Sequence, residues 1–202
     1  SDKGIHLINV GTTVAGIPLV YNSVTIGSTV AAEYNVFDNL KVAVHCNNTN
    51  FRLINSEVQF TRTISNAMAI SQSMPNMGTG IFAENTSGGR FKTDIAGTAA
   101  MPNQFYGLYR ALHTHRYNDI QFVYNTIRCA RPSHPPASGY NNGFYGVYMT
   151  VDKFDNVLVS NNTIYNINKG VTLSANSSGI TPTVKILSNT IQKDLLTTIG
   201  TF

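Results

Sequence analysis

The stretch Val157-Leu-Val-Ser-Asn-Asn-Thr-Ile164 reads apolar-x-apolar-x-x-Asn-x-apolar. The same spacing recurs at Ile17–Val24, Ile120–Ile127 and Val184–Ile191, and Phe51–Val58 matches with Ser56 in the Asn place. Phe91–Thr98 reads as a degraded further copy, with Ala96 in that place. The copies start at 17, 51, 91, 120, 157 and 184, so the steps are 34, 40, 29, 37 and 27 residues. Self-similarity at an irregular step of this size marks a solenoid whose turns carry loops of different length.

Ten to fourteen residues before each copy lies a second strand signal, usually opened by glycine: Gly4-Ile-His-Leu, Lys41-Val-Ala-Val, Gly80-Ile-Phe-Ala, Gly107-Leu-Tyr-Arg, Gly146-Val-Tyr-Met and Gly170-Val-Thr-Leu. Each turn therefore has at least two short strands with period-two alternation. Stacked in parallel, they bury inward side chains and close backbone bonds between turns. The Asn column (Asn22, Asn125, Asn162, Asn189) is expected to form a structural amide ladder, broken at Ser56 and Ala96.

Composition agrees with an extracellular β-structure. Charged residues are 12% of the chain, against roughly 25% in ordinary soluble domains. A net charge of +4 without a Lys/Arg block gives no nucleic-acid footprint. No stretch of about 20 apolar residues would span a membrane. Cys46 and Cys129 fall two turns apart, roughly 9–10 Å at the usual strand spacing, too far for a disulfide. Both read as unpaired thiols.

Gly-apolar-x-apolar followed by Asp155-Asn-Val-Leu-Val-Ser-Asn-Asn-Thr-Ile-Tyr-Asn166 resembles right-handed parallel β-helix proteins of the pectin-lyase-like superfamily. Val20-Tyr-Asn-Ser-Val-Thr-Ile-Gly27 resembles secreted surface proteins of the Bacteroidota type. The resemblance implies an all-β, right-handed parallel β-helix of about six turns with long loops. The chain reads as a single domain over 1–202, cut from a longer protein. Thr25–Leu40, Gln59–Gly78 and Arg128–Phe144 read as loops leaving one side of it.

Alternation places Ile5/Leu7, Val42/Val44, Ile81/Ala83, Val147/Met149 and Val171/Leu173 inward. The outward column is then His6, Ala43, Phe82, Tyr109, Tyr148, Thr172. Phe82, Tyr109 and Tyr148 would form an aromatic ribbon on which a sugar face or partner could pack, with His45, Glu84, His113 and Asp152 nearby. Arg110 falls among inward positions, where an unpaired guanidinium is costly, so either a bulge turns it outward, the favoured reading, or it pairs with a carboxylate or backbone carbonyls. His113 and His115 share a strand face, but no third metal ligand is identifiable, and no cofactor is expected.

The ten acids scatter. The expected outward column of the second strand (Pro18, Arg52, Lys92, Gln121, Leu158, Lys185) holds no stacked Asp pair such as glycoside hydrolysis uses. Asp94 could pair with Arg52 or Lys92. The expected function is a non-catalytic extracellular module for surface adhesion or glycan or partner binding. One alternative is a polysaccharide lyase, hydrolase or phage tailspike-type depolymerase, needing Glu33, Asp38 or Glu57 to converge with Arg52 or Lys92. The other is a purely structural stalk.

Overall fold

In the computed structural model, residues 3–14, 20–60, 78–128, 143–151, 156–165, 167–175 and 183–192 are described. The described chain is all-β, and three parallel six-stranded sheets account for all but one hairpin. The first sheet orders β1 (Lys3–Ile8), β6 (Val42–Asn47), β9 (Thr79–Glu84), β12 (Arg110–His115), β15 (Gly143–Val151) and β18 (Ile167–Ala175). The second orders β4 (Val24–Ile26), β7 (Phe51–Leu53), β10 (Lys92–Ala96), β13 (Asp119–Val123), β16 (Asn156–Ser160) and β19 (Thr183–Leu187). The third orders β5 (Asn35–Asp38), β8 (Ser56–Gln59), β11 (Asn103–Tyr106), β14 (Asn125–Arg128), β17 (Thr163–Tyr165) and β20 (Thr190–Gln192). The chain visits the sheets in rotation and each strand pairs with its counterpart one rung away, which is a parallel β-solenoid. Among the described residues, no helix is long and apolar enough to cross a membrane.

The recurring motif is one corner of this solenoid. Val157 and Val159 point inward on β16, Asn161 turns at φ 55°, Asn162 enters the corner and Ile164 points inward on β17. Asn55, Tyr124 and Ser188 take the same left-handed turn at φ 46°, 52° and 54°. That backbone region is open to Asn and costly for most other side chains. A single left-handed residue thus bends the chain from the second sheet into the third.

The next residue builds the ladder. Asn103 Nδ2 donates to Asn125 Oδ1 at 2.9 Å, Asn125 Nδ2 to Asn162 Oδ1 at 3.0 Å, and Asn162 Nδ2 to Asn189 Oδ1 at 2.8 Å. The second hydrogen of each amide goes to a strand carbonyl one rung back: Ile95 for Asn125, Phe122 for Asn162, Val159 for Asn189. The interruption at Ser56 is present, and its backbone N–H donates to Asn103 Oδ1 at 3.1 Å.

Two copies require correction. Asn22 is not in the ladder: it is exposed, at the end of the hairpin β2 (Thr12–Val14)–β3 (Val20–Asn22), and the column position there is Asn35, paired with Ser56. Ala96 does not interrupt the ladder, because Thr93 rather than Phe91 is in register with Phe51, and Asn103 holds the position. In both copies extra residues separate the second-sheet strand from its third-sheet partner. Thr25–Leu40 is therefore part of the coil, containing β5, rather than a loop. Residues 61–77 and 129–142 lie outside the described residues, as does Cys129.

The interior is a set of continuous columns. Val44, Ile81, Leu112 and Val147 line the first sheet, Leu53, Ile95, Phe122 and Val159 the second, and Val58, Phe105, Ile127 and Ile164 the third, each at most 2% exposed. Burial of side chains this size contributes roughly 1.5–3 kcal/mol each. Cys46 is a free, fully buried thiol in this packing, and burial pushes its pKa up. The inward partners on β6 are Val44 and Cys46, so Val42 is not among them.

A column of small residues, Gly4, Ala43, Gly80, Ala111, Gly146 and Gly170, opens the first sheet. A Cβ on Gly80 would meet the Ala111 carbonyl oxygen at 2.6 Å and core atoms of Phe105 and Leu108 at 3.1 and 3.2 Å. The position faces the core at a bend, and Ala43 and Ala111 there are buried. Two successive residues point inward (Ala111, Leu112), so Arg110 is turned outward, as the sequence requires of a guanidinium. Its register partners are Thr79 and Tyr145, not Ala83 and Met149.

Candidate binding face

Because the bend resets the alternation, every first-sheet strand presents its outward side chain two residues after the Gly/Ala position. The resulting column is His6, His45, Phe82, His113, Tyr148, Thr172. The expected column was right for His6, Phe82, Tyr148 and Thr172. It was wrong at two rungs, where His45 replaces Ala43 and His113 replaces Tyr109. Gly107 does not open the strand: it sits at φ 66° in the turn before β12, and Ala111 takes the small-residue position.

Five rings therefore stand in register on five successive rungs. His6 and His45 stack at 4.6 Å between centroids, and His45 and Phe82 at 5.1 Å, with planes within 9° and 11° of parallel. Phe82 and His113 follow at 4.8 Å and 36°, and His113 and Tyr148 at 5.2 Å and 75°. These separations follow from the roughly 4.8 Å strand spacing, which brings rings on adjacent strands to stacking distance. Four such steps make a strip about 19 Å long.

Each edge of the strip has its own chemistry. On one side Glu84 Oε1 accepts from His45 Nε2 at 3.0 Å and from Asn47 Nδ2 at 3.1 Å. Asn48 Oδ1 accepts from the backbone N–H groups of Thr86 and Ser87 beside it. On the other side the Arg110 guanidinium lies 5.0, 5.3 and 4.9 Å from the ring centroids of Tyr109, Tyr145 and Tyr148. Arg110 Nη1 approaches His113 Nδ1 at 2.9 Å. A guanidinium can only donate, so Nδ1 is the acceptor and His113 is the neutral tautomer with hydrogen on Nε2.

Burial lowers the pKa of His113 to about 4, helped by the charge of Arg110. Burial also lowers that of His45, partly opposed by its bond to Glu84. Both imidazoles are therefore uncharged near neutral pH. Along most of its length the face offers neutral aromatic surface rimmed by amides and hydroxyls.

Of the residues expected at a site, Phe82, His113 and Tyr148 are members of the strip. Glu84 bonds to it, and Tyr109 reaches it through Arg110 and an edge contact with Tyr145 at 6.0 Å. Asp152 lies outside the described residues. Sequence reading missed Tyr145, although it stands only three residues before Tyr148. It also placed His45 and His113 beside the column rather than in it.

The second sheet's outward column is Thr25, Arg52, Asp94, Gln121, Leu158, Lys185, so Thr25 and Asp94 stand where Pro18 and Lys92 were expected. Arg52 Nε lies 3.6 Å from Asp94 Oδ2. Asp38 and Glu57 stand on the third sheet and Glu33 in the loop before it, whereas Arg52 and Lys92 stand on the second. No group of three or more metal-ligating side chains gathers among the described residues.

A three-sheet parallel β-solenoid with an aromatic strip on one face is the class these observations define. Comparison with known proteins finds no matching family model, curated protein or solved structure.

Proposed function

We propose that the chain is an extracellular, non-catalytic recognition module that binds a glycan or a partner surface along the aromatic strip of its first sheet. The observation that carries the reading is the register of His6, His45, Phe82, His113 and Tyr148 on successive rungs. Flat rings at a regular spacing give apolar faces on which sugar rings can pack, and the amide and hydroxyl rim offers donors and acceptors. The finer reading is a right-handed β-helix of about six turns, of the pectin-lyase-like kind, within a longer secreted surface protein.

The test is a glycan-array screen of the full chain beside a Phe82→Ala/Tyr148→Ala variant. Both side chains are only half-buried, so the variant should melt within a few degrees of the parent and lose its array signal. Signal that survives in a folded variant moves binding off the strip. Release of reducing or unsaturated sugar ends from a bound glycan would replace the reading with a degrading enzyme. Silence on a broad array would leave a structural stalk.

A further inference from the structure

We infer that the Tyr145 end of the strip reads negative charge, so that its ligand is a glycan bearing carboxylate or sulfate groups. This rests on the recognition reading above and adds the chemical class of the ligand. Beside the ring ladder Arg110, Tyr145 and Lys169 stand in register on three successive rungs. Lys169 is exposed, with Nζ 5.3 Å from the Tyr145 centroid, and Arg110 Cζ lies 5.3 Å from the same ring. The sequence thus places a cation one rung to either side of a tyrosine.

No carboxylate among the described residues lies within ion-pair distance of Arg110 or Lys169; the ion pairs seen there include those of His45, Arg52 and Arg90. Glu84, on the same sheet, is already held by His45 and Asn47. One donor of Arg110 is used by His113, while its buried Nε has no acceptor among the described residues. Tyr109, Tyr145 and Tyr148 surround the guanidinium and fix its place, so little side-chain order remains to be lost when an anion arrives. A planar guanidinium matches two oxygens of a carboxylate or sulfate, and a lysine supplies a point charge.

The spacing narrows the ligand further. Arg110 and Lys169 are two strand steps apart, about 9.6 Å, with the Tyr145 ring between them. A chain laid along the solenoid axis meets cation, ring, cation. An acidic oligosaccharide supplies anion, sugar face, anion in that order. Nucleic acid would need a broader basic footprint than two cations.

The experiment is titration calorimetry of the full chain against three length-matched oligosaccharides: a uronate, a sulfated chain and a neutral one. Expected is binding of at least one acidic chain, at least tenfold tighter than the neutral one and weakened by added salt; the two acidic arms separate carboxylate from sulfate. Lys169→Glu should cost at least tenfold in affinity without changing the melting temperature, because the side chain is exposed. Arg110→Gln should do the same, and Lys169→Glu decides the matter if that variant does not fold. Equal affinity for the neutral chain, or an unchanged affinity in Lys169→Glu, overturns the anion reading and leaves the recognition face standing. No binding of any of the three, or binding that survives Phe82→Ala/Tyr148→Ala, removes both.

Discussion

Two ladders cross the same rungs, one buried and one facing outward, and they obey different rules. In the buried ladder Asn103, Asn125, Asn162 and Asn189 are the same residue type at every step. An amide alone offers two donors and an acceptor in a flat group, and a corner shut off from water needs all three. In the outward ladder histidine, phenylalanine and tyrosine alternate, because stacking asks only for a ring at strand spacing. Hydrogen-bond geometry fixes identity, and ring stacking fixes only shape. Stability should reside in the first and specificity in the second.

The largest break comes from the buried side. Asn125→Ala takes the acceptor from one hydrogen of Asn103 Nδ2, which keeps only its 3.4 Å bond to Leu53 O, and removes the side-chain donor to Ile95 O. Asn162 Oδ1 loses one of its two donors and keeps the backbone N–H of residue 125. Each buried group left unsatisfied costs roughly 1–3 kcal/mol, so we expect about 3 kcal/mol of lost stability by urea unfolding. A loss below about 1 kcal/mol would mean that water enters the corner and that the ladder is ornamental.

The same contrast explains what the sequence made legible. Where strand, left-handed residue, Asn and next strand are contiguous, as at 120–127, 157–164 and 184–191, the motif prints the corner directly. Where residues 27–34 or 97–102 intervene, Asn35 and Asn103 are displaced from the pattern, and a decoy, Tyr21-Asn22, takes the slot. On the outer face the same failure took another form. Glycine is not what the strand start requires: the position needs only a side chain small enough to face the core at a bend, and alanine meets that need at Ala43 and Ala111. With either residue allowed, all six strands read alike: Gly4-Ile-His6, Ala43-Val-His45, Gly80-Ile-Phe82, Ala111-Leu-His113, Gly146-Val-Tyr148 and Gly170-Val-Thr172. The signal for the ring ladder was present, but hidden by a turn glycine.

The outward ladder breaks with pH. His113 has a folded pKa of about 4 against an ordinary 6.5. Between those values the unfolded chain binds the proton and the folded chain does not, so stability rises with pH across this window. The contribution is complete above about 6.5 and lost as pH falls towards about 4. Protonation would also remove the acceptor for Arg110 and set a second positive charge beside its guanidinium, with Phe82 and Tyr148 on the neighbouring strands. His113→Phe keeps a ring in the column and abolishes the proton. Relative to the parent it should flatten the stability–pH curve in this window by on the order of 1–2 kcal/mol, discounted for partial exposure. His45, lowered in the same direction, and Asp119, raised by burial, are common to both proteins and cancel in the difference. Identical curves would place His113 in water rather than in the stack.

The smallest effect tests whether the buried ladder is a transferable rule. Ser56 occupies the Asn position, and its Oγ donates to the carbonyl of Ile54, two residues back on the same rung. Asn35 stands in register one rung earlier, so the column has an amide on each side of the gap. In Ser56→Asn the new Nδ2 could donate to Asn103 Oδ1, as Asn125 does to Asn162, and to the carbonyl of Ile26, which is in register with Leu53. The new Oδ1 would face Asn35. Net gains per hydrogen bond are about 0.5–1.5 kcal/mol, set against the bulk added at a site only 3% exposed. We expect stabilisation of up to about 1 kcal/mol, read as a rise in the urea midpoint at unchanged slope. A fall would show that the corner has closed around the serine. The amide rule would then be a property of particular rungs, set by the space between strands, rather than of the column.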